Sequence, residues 1–219
     1  MLRLISFEGG DGAGKTTQLK YLERYLDSIG RGYLSTREPG GTTFGKIMRR
    51  ALLEVTREDL AQAAEVFLYL ADRAQHVEKV IRPTLESQRL VLCDRFSDST
   101  LAYQGYGRGL DLVLLRSLNE IASQGITPDL TFLLDLPPAA GLARTRERGL
   151  TGAKSKPGNQ KPGDRFEQEG LEFHERVRGG FLKLAQAEPE RIIVLDAALP
   201  PLEVHEQIKK IVTQRLAAN

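Results

Sequence analysis

The feature that most constrains the fold of this chain is a glycine-rich segment near its N-terminus, Gly9-Gly-Asp-Gly-Ala-Gly14-Lys15-Thr16, which fits the pattern G-x-x-x-x-G-K-[ST]. An apolar run at residues 2–7 precedes it, and leucines at helical spacing follow it. In such a strand, turn and helix, backbone N–H groups and the helix N-terminus face phosphate oxygens. The segment therefore predicts a nucleoside triphosphate site made of Gly9, Gly10, Asp11, Gly12, Ala13, Gly14, Lys15, Thr16 and Thr17.

Apolar runs alternate with stretches of helical periodicity along most of the chain. Strands are predicted at residues 2–7, 33–36, 90–93, 130–136 and 192–195. Helices are predicted after the glycine-rich segment, at residues 43–53, from a start at Thr56 and Asp59 to an end before Pro83, at residues 112–122 and 138–148, and near the C-terminus. Unbroken apolar runs are typical of parallel strands covered on both faces. The pattern predicts a three-layer α/β/α fold of the P-loop NTPase class with a central five-stranded parallel sheet.

One stretch lacks this periodicity. Residues 150–163 are rich in Gly, Pro and Lys, which predicts a surface loop in a chain otherwise organised as a single domain over residues 1–219. A loop of this length is either a tolerated insertion or a functional lid, and both alternatives stay open on composition alone. We define residues 144–165 as the predicted flexible lid segment.

Composition excludes several classes of protein. With 31 Lys and Arg against 29 Asp and Glu, the net charge of +2 gives no general reason to expect nucleic acid or an anionic membrane as a partner. The single cysteine, Cys93, excludes a disulfide framework, and its place in an apolar strand predicts a small buried side chain. His76, His174 and His205 are predicted to be polar groups on helix surfaces. No apolar run is long enough for a signal peptide or a membrane helix, so we expect a soluble cytoplasmic protein.

Charged residues near the predicted strand ends indicate a second anion site. Asp94 and Arg95 follow the run at residues 90–93; the carboxylate suits a metal ion, as does Thr16, and the guanidinium suits an anion. Arg37 and Arg73 are placed near the same edge. Two anion sites predict phosphoryl transfer from a nucleotide to another phosphate, a reaction that depends on positioning and charge neutralisation.

Further stretches, spread in order over nearly the whole chain, resemble the thymidylate kinase family. The resemblance implies that the protein is a homodimer that phosphorylates dTMP to dTDP with ATP and Mg²⁺. A P-loop alone would be unspecific, but the stretches that begin at Thr36 and Ala102 are distinctive of this family. The matching stretches are Thr36-Arg-Glu-Pro-Gly-Gly-Thr42, Phe67-Leu-Tyr-Leu-Ala-Asp-Arg73, Asp94-Arg-Phe96 with Ser99, Ala102-Tyr-Gln-Gly-Tyr-Gly-Arg-Gly109, Pro128-Asp-Leu-Thr-Phe-Leu-Leu-Asp135, and Asp164-Arg-Phe-Glu-Gln-Glu169 with Phe173-His-Glu-Arg-Val-Arg178.

The resemblance also implies residue roles at the phosphate and base of dTMP. Arg37 and Arg95 would bind the acceptor phosphate, and Arg73 would lie near a thymine carbonyl. Tyr69 would stack on the base, and Ser99 would face its polar edge.

At the sugar, the resemblance places Tyr103 where a ribose has its extra hydroxyl, which gives deoxyribose selectivity a steric reason. Gln104 with Asp11 would meet the 3′-hydroxyl, and Asp94 with Thr16 would lie beside Mg²⁺.

The phosphate loop lacks the arginine that some family members carry, because Gly12 and Ala13 occupy those positions. The chain thus resembles the subgroup whose catalytic arginines lie in the lid. Candidates are Arg144, Arg146, Arg148 and Arg165; we expect Arg146 and Arg148 to act in catalysis with Lys15 and Arg95, and Arg144 to bind ATP. The alternative for these arginines is that cations simply favour a helix C-terminus.

Two other functions stay open on the sequence. One is another nucleotide kinase on the same fold, acting on dUMP or on a nucleoside. The other is a non-catalytic nucleotide switch, against which the second anion site argues, because a switch has no use for an acceptor.

Overall fold

The computed structural model describes residues 2–53, 60–152 and 165–217 of the chain. Its strands form one parallel sheet in the order β2-β3-β1-β4-β5. The strands are β1 (Leu4–Glu8), β2 (Tyr33–Arg37), β3 (Leu90–Asp94), β4 (Leu130–Asp135) and β5 (Ile192–Asp196). The five-stranded parallel sheet predicted from the apolar runs is confirmed.

Helices connect the strands and cover the sheet. They are α1 (Lys15–Ser28), α2 (Thr43–Leu53), α3 (Gln62–His76), α4 (Arg82–Glu86), α5 (Ser97–Thr100), α6 (Leu112–Ser123), α7 (Pro138–Gly152), α8 (Leu171–Ala187) and α9 (Pro201–Ala217). Two π-helical segments, Val77–Ile81 and Leu101–Gly107, continue α3 and α5.

Both faces of the central strands β1, β3 and β4 are buried, which confirms the three-layer architecture. On one face, side chains of α1 and α9 such as Leu22 and Ile208 pack with Phe132 of β4. On the other, side chains of α3, α6 and α8 such as Phe181 pack with Leu133. Neighbouring residues of a strand point to opposite faces, so an unbroken apolar run is what a sheet between two helical layers requires.

Two expectations from the sequence are wrong. The helix containing α3 does not end before Pro83, because the π-helical segment and α4 continue it to Glu86. Proline loses a helical hydrogen bond and its ring crowds the carbonyl four residues earlier; the wider π turn lies at that position and accommodates it. His76 and His174 are buried rather than surface groups. The predicted helix start at Thr56 and Asp59 lies outside the described residues.

The topology brings several charged residues to one edge of the sheet. β1 and β3 are neighbours, and β2 pairs with β3 so that Arg37 lies opposite Asp94. Glu8 ends β1, at the carboxyl edge where ligands bind in open parallel sheets. Of the predicted lid at residues 144–165, the structure describes helix α7 and Arg165; residues 153–164 lie outside the described part.

Candidate active site

The glycine-rich segment forms a turn between β1 and α1 that only glycine fits at two positions. Gly9 and Gly12 have positive φ angles of 130° and 76°. A Cβ at Gly9 would lie 2.4 Å from the carbonyl oxygen of Leu134, and one at Gly12 would lie 2.1 Å from that of Gly141. The backbone of the turn is therefore packed directly against β4 and α7, a close approach that glycine permits.

Lys15, at the start of α1, is held inside this turn. Its Nζ donates to the carbonyl oxygens of Gly9 at 3.0 Å and Gly10 at 2.8 Å. Burial, and then the neighbouring Arg95, lower the pKa of Lys15 from 10.5 to about 8. The ammonium group is therefore still mostly charged at neutral pH.

Thr16 and Asp94 lie together at the mouth of the turn. The Thr16 hydroxyl donates to Asp94 Oδ2 at 3.1 Å. Hydroxyl and carboxylate oxygens are the ligands that Mg²⁺ prefers, and Mg²⁺ is usually bound by one or two carboxylates, waters and substrate phosphates. Among the described residues, no three His, Cys, Asp or Glu side chains form a metal-binding group. The Thr16 and Asp94 pair thus fits a magnesium ion that arrives with a nucleotide.

Three cavities surround the turn. The loop cavity, of about 200 Å³, is lined by Asp11, Gly12, Gly14, Lys15, Thr16, Thr17, Arg37, Glu38, Arg49, Asp94, Arg95, Thr145 and Glu167. The aromatic cavity, of about 90 Å³, is lined by Asp11, Glu38, Arg49, Leu53, Tyr69, Arg73, Arg95, Phe96, Ser99, Thr100, Tyr103, Gln104 and Phe166. The outer cavity, of about 490 Å³, is lined by Gly12, Ala13, Gly14, Thr17, Gln18, Arg144, Glu147, Ala197, Leu199, Pro201 and Val204.

The aromatic cavity brings together seven of the eight residues that the sequence predicts around an acceptor: Asp11, Tyr69, Arg73, Arg95, Ser99, Tyr103 and Gln104. The eighth, Arg37, lines the loop cavity instead. Both cavities share Asp11, Glu38, Arg49 and Arg95. The two cavities thus meet at a carboxylate and arginine boundary.

Arg95 is the centre of this boundary. It has a positive φ of 69°, and its guanidinium donates to Asp11 Oδ1 at 2.8 Å and to the Gly9 carbonyl at 3.0 Å. It also donates to the Tyr103 hydroxyl at 3.1 Å and lies over that ring at 5.0 Å. Although burial acts in the opposite direction, Arg95 and Lys15 lower the pKa of Asp11. The boundary is therefore an ion-paired surface in which Arg95 contacts both cavities.

Glu8 fixes the backbone that carries Arg95. This fully buried carboxylate accepts from the backbone N–H of Phe96 at 2.7 Å and from the Ser99 hydroxyl. Burial, with repulsion from Asp98, raises the pKa of Glu8 to about 7. Glu8 was not predicted as a site residue, although an acidic residue at the end of an apolar run, directly before the glycines, was the available signal.

Arg73 lies in the wall of the aromatic cavity, 1 % exposed. Its Nε donates to Glu38 Oε2 at 2.8 Å, and its Nη1 donates to Thr100 Oγ1 at 2.9 Å and to Asn119 Oδ1. The second oxygen of Glu38 lies 2.9 Å from His76 Nδ1. Glu38 therefore orients Arg73, a role that no local sequence pattern indicated.

Arg49 and Phe166 are further lining residues that the sequence analysis did not assign. Arg49 lies on α2 one turn after the buried Gly45, and this spacing could have indicated its face of the helix. Phe166 follows the predicted lid directly, within a stretch quoted for the family resemblance.

The arginines of α7 are placed differently from one another. Arg144 lines the outer cavity and donates to the carbonyl of Ala197 at 3.1 Å. Arg146 is exposed and lines none of the three cavities. The side chain of Arg148 lies outside the described part of the chain. Their roles stay predictions.

Comparison with known proteins agrees with this geometry. The Thymidylate kinase family model matches residues 7–208. A thymidylate kinase of Desulfovibrio desulfuricans is 52 % identical over 95 % of this chain and 94 % of its own length. One of Solidesulfovibrio magneticus is 50 % identical over 97 % and 99 %.

A solved structure is similar as well. The crystal structure of thymidylate kinase from Ehrlichia chaffeensis has a TM-score of 0.74 and 32 % identity, over 96 % of this chain and 98 % of that one. The phosphate loop, the paired cavities and these matches lead to one conclusion: the chain belongs to the thymidylate kinase family.

Proposed function

We propose that this protein transfers the γ-phosphoryl group of ATP to the phosphate of dTMP, forming ADP and dTDP. The observation that carries the proposal is the shared boundary of the loop and aromatic cavities, where Arg49 and Arg95 line both. A donor triphosphate in one cavity and an acceptor monophosphate in the other would meet there. The family membership supports ATP as donor and dTMP as acceptor.

The proposed transfer needs no strong general base. An oxygen of the ionised acceptor phosphate attacks the γ-phosphorus, and the bond from that phosphorus to the oxygen it shares with the β-phosphate breaks, which releases ADP. Catalysis then depends on alignment and on charge neutralisation. Arg37 and Arg95 would hold the acceptor phosphate, and Lys15 would neutralise charge on the donor phosphates.

The donor nucleotide is proposed to extend from the loop cavity into the outer cavity. Gly9, Gly10, Gly12 and Gly14 provide the turn whose N–H groups face the phosphates. Thr17 lines both cavities, and Arg144 lies at the outer one. Thr16 and Asp94 would hold Mg²⁺, which supplies neutralisation of phosphate charge when bound.

The base and sugar of dTMP are proposed to occupy the aromatic cavity. Tyr69 would stack on the base, and Ser99 and Arg73 would face its polar edge. Tyr103, with its ring buried beside Arg95, would exclude a ribose hydroxyl. Asp11 and Gln104 would lie at the 3′-hydroxyl.

We further propose that Arg146 and Arg148 provide a cation to the transition state. Removal of a cation that acts only in the transition state lowers kcat without weakening acceptor binding. Arg148→Ala is therefore expected to lower kcat about 10³-fold with little change in dTMP affinity. Steady-state kinetics with calorimetric dTMP binding tests this, and an equal loss in both would show a binding role instead.

A homodimer and a cytoplasmic location also belong to the proposal. Apolar side chains are exposed on two helices that pack together, Phe67 on α3 and Val113, Leu114 and Ile121 on α6. A second copy of the chain would cover them. No helix among the described residues is long and apolar enough to cross a membrane.

The deciding experiment is ADP release with Mg·ATP and a panel of dTMP, dUMP, the ribose form of TMP, dCMP, AMP and thymidine. Selective turnover with dTMP is expected. Turnover with another monophosphate would keep the kinase chemistry and reject the assignments of Arg73, Ser99 and Tyr103. Nucleotide binding without acceptor-dependent release would support a switch instead.

A further inference from the structure

A buried carboxylate that lines none of the three cavities connects several elements around the aromatic cavity. Glu65 of α3 is 1 % exposed. Its Oε1 accepts from Gln104 Nε2 at 2.8 Å. Its Oε2 accepts from Arg165 Nη2 and, at 3.4 Å, from Arg108 Nη2. One side chain thus joins α3, the π-helical segment Leu101–Gly107 and Arg165, the last residue of the predicted lid.

The first contact fixes the direction of the Gln104 amide. An ionised carboxylate only accepts hydrogen bonds, so the NH₂ group of Gln104 must face Glu65. The amide carbonyl oxygen is then the part of this cavity-lining side chain that can accept a bond from a sugar hydroxyl. Glu65 therefore sets the hydrogen-bonding character of Gln104.

The second carboxylate oxygen of Glu65, Oε2, is connected to Phe166 through two arginines. The guanidiniums of Arg108 and Arg165 lie over the Phe166 ring at 5.6 and 5.0 Å. Arg165 also donates to the carbonyls of Leu52 and Leu53 in α2. These contacts hold Phe166 in the wall of the aromatic cavity.

Phe166 in turn supports Tyr103. The two rings meet edge to face with centroids 5.5 Å apart, and both are buried. Tyr103 accepts from Arg95 through its hydroxyl. Contacts thus run without a break from Glu65 to the side chain assigned to sugar discrimination.

We propose that Glu65 is a positioning residue for the sugar end of the acceptor site. One carboxylate oxygen of Glu65 orients Gln104. The other oxygen binds Arg108 and Arg165, which hold Phe166. The role deepens the proposed function and rests on it. A buried carboxylate is costly to leave partly paired, so loss of its charge or of one donor is expected to loosen these contacts.

The test compares Glu65→Gln with the wild-type protein. The amide has the same size, but its NH₂ group cannot accept from arginine. Loss of about one charged hydrogen bond is expected to raise KM for dTMP about tenfold and to reduce the preference for dTMP over its ribose form about fivefold. KM for ATP is expected to stay within about twofold of the wild-type value. Calorimetric dTMP binding is expected to weaken by the same factor as KM rises.

Val212→Ala is the matched control for destabilisation. Val212 is fully buried in α9 and lines none of the three cavities. This variant is expected to melt at a lower temperature with unchanged KM for dTMP and unchanged sugar preference. Wild-type values of both quantities in folded Glu65→Gln would overturn the role of Glu65.

A second variant keeps the test decisive if Glu65→Gln does not fold. Arg165→Met removes one donor to Glu65, and a rise of about threefold in KM for dTMP with reduced sugar preference is expected. Unchanged values would reject the proposal. A wild-type protein without dTMP-dependent ADP release would reject the proposed function itself, which separates the two failures.

Discussion

Lys15 combines a phosphate-binding position with a perturbed protonation equilibrium. Burial and Arg95 lower its pKa to about 8, so the free enzyme loses this charge as pH rises through that value. We therefore expect kcat/KM for ATP to fall above pH 8 when dTMP is far below its KM, because the ratio then reports the ligand-free enzyme. A pH profile from 6 to 10 measures this fall in kcat/KM, and the Lys15→Met variant is expected not to show it. A flat profile to pH 9.5 would contradict the assignment.

Glu8 gives a prediction for stability. Burial and Asp98 raise its pKa from 4.5 to about 7, so between these values the folded state keeps a proton that the unfolded state has released. The free energy of unfolding therefore falls as pH rises across this window. Glu8→Gln removes this titrating group. From pH 5 to pH 8, the free energy of unfolding of the wild type is therefore expected to fall by up to about 3 kcal/mol relative to that of the variant.

Urea denaturation at the two pH values measures the Glu8 effect. Glu206→Gln is the control, because the Glu206 side chain is 65 % exposed. This variant is expected to show the wild-type pH dependence. An identical pH dependence in Glu8→Gln would show that Glu8 titrates normally in the folded protein.

At the scale of residues, the sequence predicted which side chains line the site better than it predicted which side chains pair with them. Arg73 and Arg95 were identified from motifs, and both line the aromatic cavity. The carboxylate that pairs with Arg73 was not identified: Glu38 contacts it across 35 positions of the chain. This pair forms only when the fold brings the end of β2 next to α3, so no local spacing encodes it.

At the scale of elements, the helix α8 packs closely on the π-helical segment that carries Tyr103 and Gln104. A Cβ at Gly180 would lie 2.6 Å from the Tyr106 ring, whereas one at the neighbouring Gly179 would meet nothing within 4 Å. Gly180→Ala is expected to lower the free energy of unfolding by about 1–3 kcal/mol through overpacking. Gly179→Ala is expected to leave it unchanged or raise it by up to about 1 kcal/mol through helix propensity.

Chemical denaturation of the two alanine variants measures this difference. Because the residues are adjacent in one helix, helix propensity is the same for both and only the packing differs. Equal stability of the two variants would show that α8 can move away from Tyr106 without cost.

The elements themselves were predictable where burial alone determines them. The central strands β1, β3 and β4 follow from unbroken apolar runs because both of their faces are covered. The edge strands β2 and β5 are partly exposed. The helix end near Pro83 was not predictable, because the π-helical segment Val77–Ile81 packs in the core beside Val91 and accommodates the proline. Tertiary packing overrode a local stop signal there.

At the scale of the whole molecule, the remaining prediction concerns assembly. Val113 and Ile121 are 75 % and 74 % exposed on α6, two turns apart and therefore on one side of the helix. Apolar side chains so exposed are typical of a protein interface. We expect light scattering after gel filtration to give twice the 24.3 kDa chain mass at micromolar concentration.

Charge placed on this face is expected to separate the two copies. In the double variant Val113→Glu and Ile121→Glu, like charges would lie in the interface without partners, so a mass of one chain is expected. Val194→Glu is the matched control, because Val194 is 45 % exposed on the edge strand β5 instead. The control is expected to stay dimeric. A monomeric wild type, or a control that dissociates like the double variant, would show that this face of α6 does not form the dimer.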